Sequence, residues 1–404
     1  MVIGIIGAGA SGMAAAIAAA AQENVQVLLL ERQARVGHKL QATGNGRCNL
    51  TNLHAGPDSY HGTRPEFAAQ ALCAFPVERT LAWFHELGLL TVAEPSGRVY
   101  PYSDQANSVV DVLRFGLEKP NITLKTGFEV RKVRRDESGF TVEGNDERLR
   151  CDRLIIACGG LAGTRLGGSL SGYQLLQRLG HGSTALRPAL VQLRASWSGC
   201  AALKGVRANC RAQLCRDGQC CAESTGQLQF TEYGLSGPVI FEISRDACRE
   251  PGTWSCVLDF LPQVSASQLL DMLEARAKTE LGAQELLTGV LHNRLGRVLT
   301  KAAGIDLSMP VRLLQRQQLE RVCRIVKEFE IALKEPMGMD CAQVTAGGVY
   351  TRQFDPRTME SLLVPGLYAC GEVLDIDGGC GGYNLQWAWS SGFCAGTAAG
   401  GGTL

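Results

Sequence analysis

Three glycines and a glutamate near the start of the chain have the spacing of a dinucleotide-binding site. Gly7, Gly9 and Gly12 follow a short apolar run, and Glu31 comes 19 residues after Gly12, at the end of a second apolar run over residues 25–30. The first glycine permits a tight turn, the second lets the backbone approach a pyrophosphate, and the third lets a helix pack closely on the strand. The start of that helix offers N–H groups to phosphates, and the glutamate can accept a hydrogen bond from a ribose hydroxyl. The pattern predicts a strand–helix–strand unit that binds a dinucleotide.

A second element of this kind lies near the other end of the chain, in GLYACGEVLDIDGGCGGYNLQWAWSSG. Glu372 ends an apolar run, a glycine-rich turn follows over residues 378–382, and residues 383–398 have the composition of a helix. A nicotinamide dehydrogenase does not require this element. A flavin dinucleotide does, because its ribityl chain and the pyrimidine edge of its isoalloxazine ring also have to be held. The two elements together favour FAD.

Length and charge narrow the class of protein. A chain of 404 residues predicts two or three domains, and 45% hydrophobic with 20% charged residues is typical of a globular protein. The net charge of +1 provides no strong field for nucleic acid or an anionic membrane, so we expect neither as a partner. The longest apolar run, residues 13–21, is too short to cross a bilayer, and the first residues lack a basic secretory segment. We therefore expect a cytoplasmic location.

Sixteen cysteines are scattered along the chain without the spacing of a disulfide framework. Several, including Cys158 and Cys370, lie among small apolar residues, which indicates buried free thiols. The cysteines over residues 210–221 lack paired Cys-x-x-Cys spacing, so we expect no metal site there. The adjacent Cys220 and Cys221 are either a strained redox disulfide or small residues of a hairpin turn.

The order of patterns along the chain predicts an α/β protein whose composition shifts at about residue 190. Residues 121–146 alternate like a β meander with a turn at 136–139, and residues 154–157 form another buried strand. Residues 190–258 contain short alternating strands, whereas residues 265–335 have helical spacing.

Several strings of residues are similar to one family of flavoproteins. They are IIGAGASGMAAA, GHKLQATGNGRCNLTN, GRVYPYSDQA, GQLQFTEYGLSGP, VTAGGV and GEVLDIDGGCGGYNLQWAWSSG. On these strings, which span nearly the whole chain, the protein resembles the bacterial BaiN/RdsA-type NAD(P)/FAD-dependent oxidoreductases, the YhiN-like flavoproteins with two dinucleotide-binding folds. One departure is Ser171 before Gly172, where related flavoproteins tend to carry an aspartate.

The resemblance implies a Rossmann-like FAD-binding domain built from both ends of the chain, residues 1–190 and 340–404. Between these parts it implies a small β domain, residues 191–258, and a helical segment, residues 259–339. We expect the inserted part to provide substrate access rather than affinity for the cofactor.

The resemblance also implies which residues hold FAD. The pyrophosphate would lie on the first glycine turn, the adenine on the backbone of Val130, the ribityl chain on Glu372, and the isoalloxazine ring near residues 44–48 and 382–385. Arg47 has the alternative role of an exposed loop cation, and Tyr383 and Asn384 have that of capping a helix. The residues expected to contact FAD are Gly7, Gly9, Ala10, Ser11, Gly12, Glu31, Arg32, Lys39, Gly44, Asn45, Gly46, Arg47, Cys48, Val130, Ala157, Gly159, Gly160, Gly371, Glu372, Gly382, Tyr383, Asn384 and Leu385.

These features predict an FAD-dependent oxidoreductase that transfers hydride through non-covalently bound FAD between NAD(P)H and a small, apolar organic substrate. NAD(P)H is expected to bind transiently, because the glycines at 159, 160 and 163 lack the strand and acid of a second dinucleotide site. The alternatives are an FAD-dependent oxidase that passes electrons to oxygen and a flavin-binding redox sensor without turnover.

The sequence assigns no catalytic residue. Cys380 is the thiol nearest to the residues expected to contact the isoalloxazine ring, and its alternative role is as a small residue of a glycine-rich loop. The other candidates for a proton donor lie in loops near the FAD motifs, and they are Tyr100, Tyr102, His54 and His61.

Overall fold

The computed structural model describes all residues from Met1 to Leu404, and the chain divides into two compact units. The first unit contains Met1–Arg187 and Gln343–Leu404, and the second contains Pro188–Ala342. The first unit is thus built from both ends of the chain.

Twenty-one strands and twelve α-helices make up the two units. The strands are β1 (Val2–Ile6), β2 (Gln26–Leu30), β3 (Thr51–Asn52), β4 (Tyr60–His61), β5 (Thr91–Ala93), β6 (Arg98–Pro101), β7 (Ile122–Lys125), β8 (Val130–Asp136), β9 (Gly139–Gly144), β10 (Glu147–Cys151), β11 (Arg153–Ile156), β12 (Arg187–Ala189), β13 (Leu193–Ala195), β14 (Arg207–Arg216), β15 (Gln219–Phe230), β16 (Gly234–Ser236), β17 (Trp254–Asp259), β18 (Phe329–Pro336), β19 (Val344–Ala346), β20 (Leu367–Ala369) and β21 (Asp377–Gly378). The helices are α1 (Ala10–Ala19), α2 (His38–Ala42), α3 (Ala68–Ala74), α4 (Val77–Glu86), α5 (Ala106–Leu117), α6 (Ser171–Arg178), α7 (Gly199–Ala202), α8 (Pro238–Arg249), α9 (Ala266–Arg276), α10 (Asn293–Ala302), α11 (Arg316–Lys327) and α12 (Tyr383–Ala399).

A five-stranded parallel sheet forms the centre of the first unit, in the spatial order β7-β2-β1-β11-β20. Its strands are nearly continuous apolar runs, as expected of a parallel sheet covered on both faces. Ile3 and Ile5 in the central strand are fully buried. The strand–helix–strand unit predicted at the start of the chain is present as β1, α1 and β2. The predicted α/β class with a Rossmann-like domain is therefore confirmed.

The first and last helices pack against each other through small residues. A Cβ added to Gly392 would collide with the carbonyl oxygen of Ser11, and one added to Gly396 would collide with that of Ala15. The two backbones therefore approach more closely than larger residues would permit. This packing places the C-terminal helix beside the helix of the first glycine turn.

The remaining sheets of the first unit are small. Strands β8, β9 and β10 form an antiparallel meander whose first turn joins Asp136 to Gly139, as predicted. The prediction of one meander over residues 121–146 is wrong at its start, because β7 joins the parallel sheet instead. Local alternation of residues does not reveal which sheet a short strand joins.

The second unit contains a closed barrel with its own core. Strands β13, β16, β15, β14, β17 and β18 form the barrel in that order. The region predicted to be helical contains α9, α10 and α11, but its last residues form β18, which pairs with β17 and β13. Helices α9, α10 and α11 therefore form the connection between two strands of the barrel, β17 and β18.

No helix of the protein combines the length and the apolar composition needed to span a lipid bilayer.

Candidate cofactor site

The glycines between β1 and α1 have different structural roles. Gly7 has a positive φ of 103°, and a Cβ there would lie 2.5 Å from the carbonyl oxygen of Ala157. A Cβ on Gly12 would collide with the carbonyl oxygen of Gly7, so this glycine permits close packing of helix and strand. A Cβ on Gly9 would meet no heavy atom within 4 Å. A side chain therefore has no room at Gly7 or Gly12, whereas the space beside Gly9 is open.

The open glycine is the N-cap of α1. No side chain caps this helix, and its first turn contains no acidic residue. The positive end of the helix dipole and the first backbone N–H groups are consequently available to an anion. The N–H of Gly37 donates to the carbonyl of Ala8 at 3.0 Å, which places the start of α2 beside the same turn.

Glu31, at the end of β2, is held by backbone groups. Its carboxylate accepts hydrogen bonds from the N–H of Ala8 at 2.7 Å and from that of Gln33 at 2.8 Å, one on each oxygen. Each carboxylate oxygen has capacity for a further donor, such as a ribose hydroxyl. The neighbouring Arg32 donates to the carbonyl of Gly167. Glu31 is thus fixed next to the glycine turn, as the spacing predicts.

The adenine side predicted at Val130 adjoins this strand end. Val130 is the first residue of β8 and is buried. The N–H of Phe128 donates to the carbonyl of Glu31 at 2.8 Å, so the segment before β8 lies along the end of β2.

Glu372, from the C-terminal part of the chain, forms an ion pair with Lys39, from the N-terminal part. Its carboxylate lies 2.7 Å from Nζ of Lys39 and accepts a hydrogen bond from the N–H of Thr345 at 2.8 Å. A Cβ on Gly160 would collide with the Glu372 carboxylate and the Thr345 hydroxyl. Thr345 was not among the predicted residues, although it lies in the string VTAGGV that carried part of the resemblance.

Gly371 brings the second predicted element onto the first. A Cβ there would lie 2.5 Å from the Ser11 hydroxyl oxygen, and its φ is 76°. Gly159, with φ of 70°, has no heavy atom within 4 Å of a Cβ. Open space therefore lies over Gly159 as it does over Gly9.

The loop after α2 has an unusual backbone. Gly44, Asn45, Gly46 and Cys48 have positive φ values of 58°, 58°, 86° and 61°. The first three are exposed, and Cys48 is buried. A positive φ is uncommon for residues other than glycine and recurs at functional sites. The conformation marks this loop as a candidate binding element.

Arg47 in this loop is engaged by other side chains. Its guanidinium pairs with Asp104 and, at 3.1 Å, with Glu94, and it lies 4.0 Å from the centre of the Tyr100 ring. The hydrogen bond to Asp104 raises the pKa of this guanidinium. Arg47 therefore fixes the loop to the segment around β6.

The start of α12 lies against the same loop. Gly382 is its N-cap, with φ of 100° and no side-chain cap. A Cβ on Gly382 would lie 3.0 Å from Oδ1 of Asn49, and one on Gly44 would lie 3.0 Å from the backbone nitrogen of Asn49. Asn49 thus links two predicted flavin segments, and its buried Oδ1 has no hydrogen-bond partner. Asn49 was not among the predicted residues, although it lies in the string GNGRCNLTN.

The first residues of α12 close the glycine-rich turn before it. The Asn384 side chain accepts the N–H of Gly378 at 2.8 Å and donates to the Gly378 carbonyl at 2.8 Å, so it does not cap the helix. The Tyr383 carbonyl accepts a hydrogen bond from the Tyr60 hydroxyl at 2.9 Å. Trp387 and Trp389 are both buried and serve packing.

A buried amide further along the helix was not predicted. Gln386 accepts a hydrogen bond from the Thr51 hydroxyl at 2.6 Å and donates to the Phe75 carbonyl at 3.1 Å. It also donates to the Thr80 hydroxyl at 2.8 Å. These bonds orient α12 toward the strands and loops around it.

The candidate proton donors are distributed around this end of the site. Burial is the main reason why the pKa of Tyr100 is raised, and Cys380 is among its electrostatic neighbours. Tyr102 is 73% exposed. His61 lies in β4, where its backbone is opposite that of Asp377 in the antiparallel pair of β4 with β21. A Cβ on Gly97 would lie 2.5 Å from the His54 ring. Of the four predicted candidates, Tyr100 is buried, whereas Tyr102, His54 and His61 are exposed.

The arrangement can accept a flavin dinucleotide. The open helix start at Gly9 suits a pyrophosphate, the strand end at Glu31 suits a ribose, and the second helix start at Gly382 lies beside a loop of positive-φ residues. Side chains at the open glycines would fill the space that a cofactor needs. No group of three or more His, Cys, Asp or Glu side chains has the arrangement of a metal site.

The chain is similar to several known proteins. Residues 1–398 match the family model described as the HI0933-like protein Rossmann domain. The chain is 41% identical over 403 residues to a 3-dehydro-bile acid delta(4,6)-reductase of Clostridium scindens, with 98% of each chain covered. It is 34% identical over 390 residues to a ribosomal RNA dihydrouridine synthase of Escherichia coli, with 96% of this chain and 95% of that protein covered. A solved structure of 3-ketosteroid delta1-dehydrogenase from Sterolibacterium denitrificans aligns over 99% of both chains, with a TM-score of 0.49 and 13% identity.

Proposed function

The chain belongs to the HI0933-like Rossmann family and is an FAD-dependent oxidoreductase, and we propose that it reduces a carbon–carbon double bond conjugated with a carbonyl group in a small, apolar molecule. NAD(P)H is the proposed hydride donor. The observation that carries the proposal is the similarity, over nearly the whole length, to a protein named as a 3-dehydro-bile acid delta(4,6)-reductase.

The proposed cofactor site uses both ends of the chain. The helix start at Ala10, Ser11 and Gly12 would bind the pyrophosphate, supported by the positive charge of Lys39. Glu31 would bind the adenosine ribose. When bound, FAD supplies hydride transfer, which no amino-acid side chain can provide.

The proposed role of the other residues is to hold the two halves of FAD in place. Glu372 would accept hydrogen bonds from the ribityl chain while it remains paired with Lys39. The uncapped start of α12, from Gly382 to Leu385, would favour negative charge on the pyrimidine edge of the flavin by about 0.3–1 kcal/mol, and by up to about 2 kcal/mol where water is excluded. Residues 44–48 would bind the isoalloxazine ring through their backbone.

A second candidate substrate is a uridine in RNA. It is favoured by the similarity to a ribosomal RNA dihydrouridine synthase, which also covers nearly the whole chain. Uracil and an unsaturated ketone share a double bond conjugated with a carbonyl group, so one hydride-transfer site suits both. The net charge of +1 argues against RNA, because phosphate binding usually relies on clustered positive charge.

Anaerobic stopped-flow absorbance tests the proposal. Protein with bound FAD is mixed with NADH or NADPH, and the reduced protein is then mixed with a 3-oxo-4,6-diene bile acid, with an unmodified ribosomal RNA transcript, or with oxygen. The expected result is flavin reduction by a pyridine nucleotide, followed by reoxidation with the bile acid. The product should gain the mass of two hydrogens.

Each other outcome selects a different function. Reoxidation by RNA alone supports the second candidate, and fast reoxidation by oxygen alone supports an oxidase. A flavin that no nucleotide or substrate reduces supports a redox sensor without turnover.

Denaturation of the same sample should release FAD, since the cofactor is proposed to be non-covalent. A cytoplasmic location also remains a prediction, which cell fractionation tests.

A further inference from the structure

The turn end of the hairpin formed by β14 and β15 carries three cysteines that the proposed function does not use, Cys215, Cys220 and Cys221. Its turn residues, Asp217 and Gly218, both have positive φ, 50° and 82°, which is typical of a two-residue type I′ turn. Arg216 and Gln219 flank the turn as a cross-strand pair. The turn therefore fixes the register of the strands that leave it.

Cys215 and Cys220 are direct cross-strand neighbours in this register. Hydrogen-bonded and non-hydrogen-bonded pairs alternate along an antiparallel ladder, and the pair that flanks a two-residue turn is hydrogen-bonded. Cys215 and Cys220 therefore form a non-hydrogen-bonded pair, a type of pair whose Cα atoms are typically about 4.5 Å apart. This separation lies within the range of about 4.4–6.8 Å that a disulfide spans. Cys220 is also among the electrostatic neighbours that raise the pKa of the Cys215 thiol.

Cys221 is placed differently, although it is adjacent to Cys220. The register shifts between Leu214 and Cys215. Cys215 pairs with Cys220 and Leu214 pairs with Ala222, so Cys221 has no partner residue in β14. The Cys221 thiol donates to the carbonyl of Gln219 at 3.3 Å. Adjacent Cα atoms are about 3.8 Å apart, which is below the range of an unstrained disulfide. The partner of Cys220 is thus Cys215.

The two paired thiols differ in exposure. Cys220 is exposed, whereas Cys215 is buried, with 8% of its surface accessible. A dissolved oxidant therefore reaches Cys220 first. Burial also raises the pKa of the Cys215 thiol, so Cys215 reacts less readily with a dissolved oxidant than an exposed thiol does.

We propose that Cys215 and Cys220 are a site of reversible oxidation by hydroperoxides. The Cys220 sulfur attacks a peroxide oxygen, the O–O bond breaks, and a sulfenic acid and one water form. The Cys215 sulfur then attacks the Cys220 sulfur, its proton leaves with the hydroxide as a second water, and the disulfide bond forms. In total, two thiols lose two hydrogens and one hydrogen peroxide becomes two waters. This proposal is independent of the proposed function.

The end of the hairpin is held in place by its neighbours. Arg216 is paired with Glu250. The N–H of Asp217 donates to the carbonyl of Thr253 at 2.9 Å, and the Asp217 carboxylate accepts the N–H of Thr253 at 3.1 Å. These contacts hold the turn in place, so the cross-strand pairing of Cys215 with Cys220 is maintained in the reduced protein.

Peptide mapping of the full chain with bound FAD tests the proposal. The protein is reduced, freed of reductant, treated with an equimolar amount of hydrogen peroxide, alkylated and digested with trypsin. Cleavage after Arg211, Arg216 and Arg245 places Cys215 in the peptide 212–216 and Cys220 in the peptide 217–245. The expected product is a cross-link between these two peptides that dithiothreitol removes.

Two variants identify the pair. Cys221→Ser should retain the cross-link, and Cys220→Ser should abolish it. The proposal is overturned if the peptide 217–245 loses two hydrogens without a cross-link, because the disulfide then joins Cys220 to Cys221. It is also overturned if Cys220 forms only sulfinic acid, or if Cys220 oxidises no faster than the exposed Cys73 and no cross-link appears.

Discussion

Substitution of Gly9 should separate cofactor binding from folding. Gly9 has φ of −82°, which any residue can adopt, and a Cβ there meets no heavy atom within 4 Å. We therefore expect Gly9→Val to change the free energy of unfolding of the FAD-free protein by no more than about 0.5 kcal/mol, as is usual away from packed contacts. The new side chain would nevertheless occupy the space proposed for the pyrophosphate.

The expected loss of affinity follows from that overlap. Forcing extra carbon atoms into an occupied space costs about 1–3 kcal/mol, which corresponds to FAD binding that is about 5- to 150-fold weaker. Gly12→Ala should behave in the opposite way, because its Cβ would collide with the carbonyl oxygen of Gly7. We expect this variant to destabilise the fold with or without FAD.

Two measurements on FAD-free protein check these expectations. Urea unfolding gives the free energy of unfolding, and titration with FAD followed by flavin fluorescence gives the affinity. Gly56→Val is the matched control, because Gly56 also has no heavy atom within 4 Å of a Cβ, has φ of −138°, and lies outside the proposed site. Normal FAD affinity in Gly9→Val would refute the assigned position of the pyrophosphate. A large loss of stability would refute the open space above the turn.

Three further predictions concern the site, the effect of pH and the insertion. Glu31→Ala and Glu372→Ala should each weaken FAD binding about tenfold or more, because each removes a hydrogen bond to a charged group that contributes about 1.5–3 kcal/mol; unchanged affinity by fluorescence titration in both variants would count against the two assignments. Burial lowers the pKa of His181 below its ordinary value of 6.5, so the unfolded chain takes up a proton first as the pH falls below that value, and the folded state loses stability until its own pKa is passed. Urea midpoints measured from neutral to acidic pH should therefore fall more steeply for the wild type than for His181→Asn, and equal slopes would contradict this. Replacement of Pro188–Ala342 by a short Gly-Ser linker should preserve FAD binding, because every residue assigned to the cofactor lies in the first unit; a folded linker variant that takes up no FAD would show that the insertion contributes to the site.

The parts of the site that could be predicted are those governed by local backbone geometry. Gly7 and Gly12 are required by a turn and a close approach within a few residues of themselves, and Glu31 follows at the length of one helix and one strand. Local constraints of this kind appear in the sequence as a fixed spacing between the glycines and the acidic residue. The same is true of Gly382, whose positive φ begins a helix.

The contacts that could not be predicted join distant parts of the chain. Lys39 and Glu372 are separated by 333 residues, and nothing near either residue indicates the other. The partners of Arg47 and the hydrogen bonds of Gln386 are likewise set by tertiary packing. The barrel shows the same limit, because β18 closes it only after three helices, and nothing near this strand indicates its distant partners.

The pairing of β20 with β11 has a consequence for synthesis of the protein. The fourth strand of the parallel sheet ends at Ile156, whereas the fifth ends at Ala369, which is 369 − 156 = 213 residues later. At about 5–20 residues per second, the ribosome takes roughly 10–40 s to produce the segment between them. During that time the sheet edge at β11 and the face of α1 that α12 later covers remain exposed. The second unit is complete before β20 emerges, so it can fold first, whereas the FAD-binding unit can be completed only after the last helix is released.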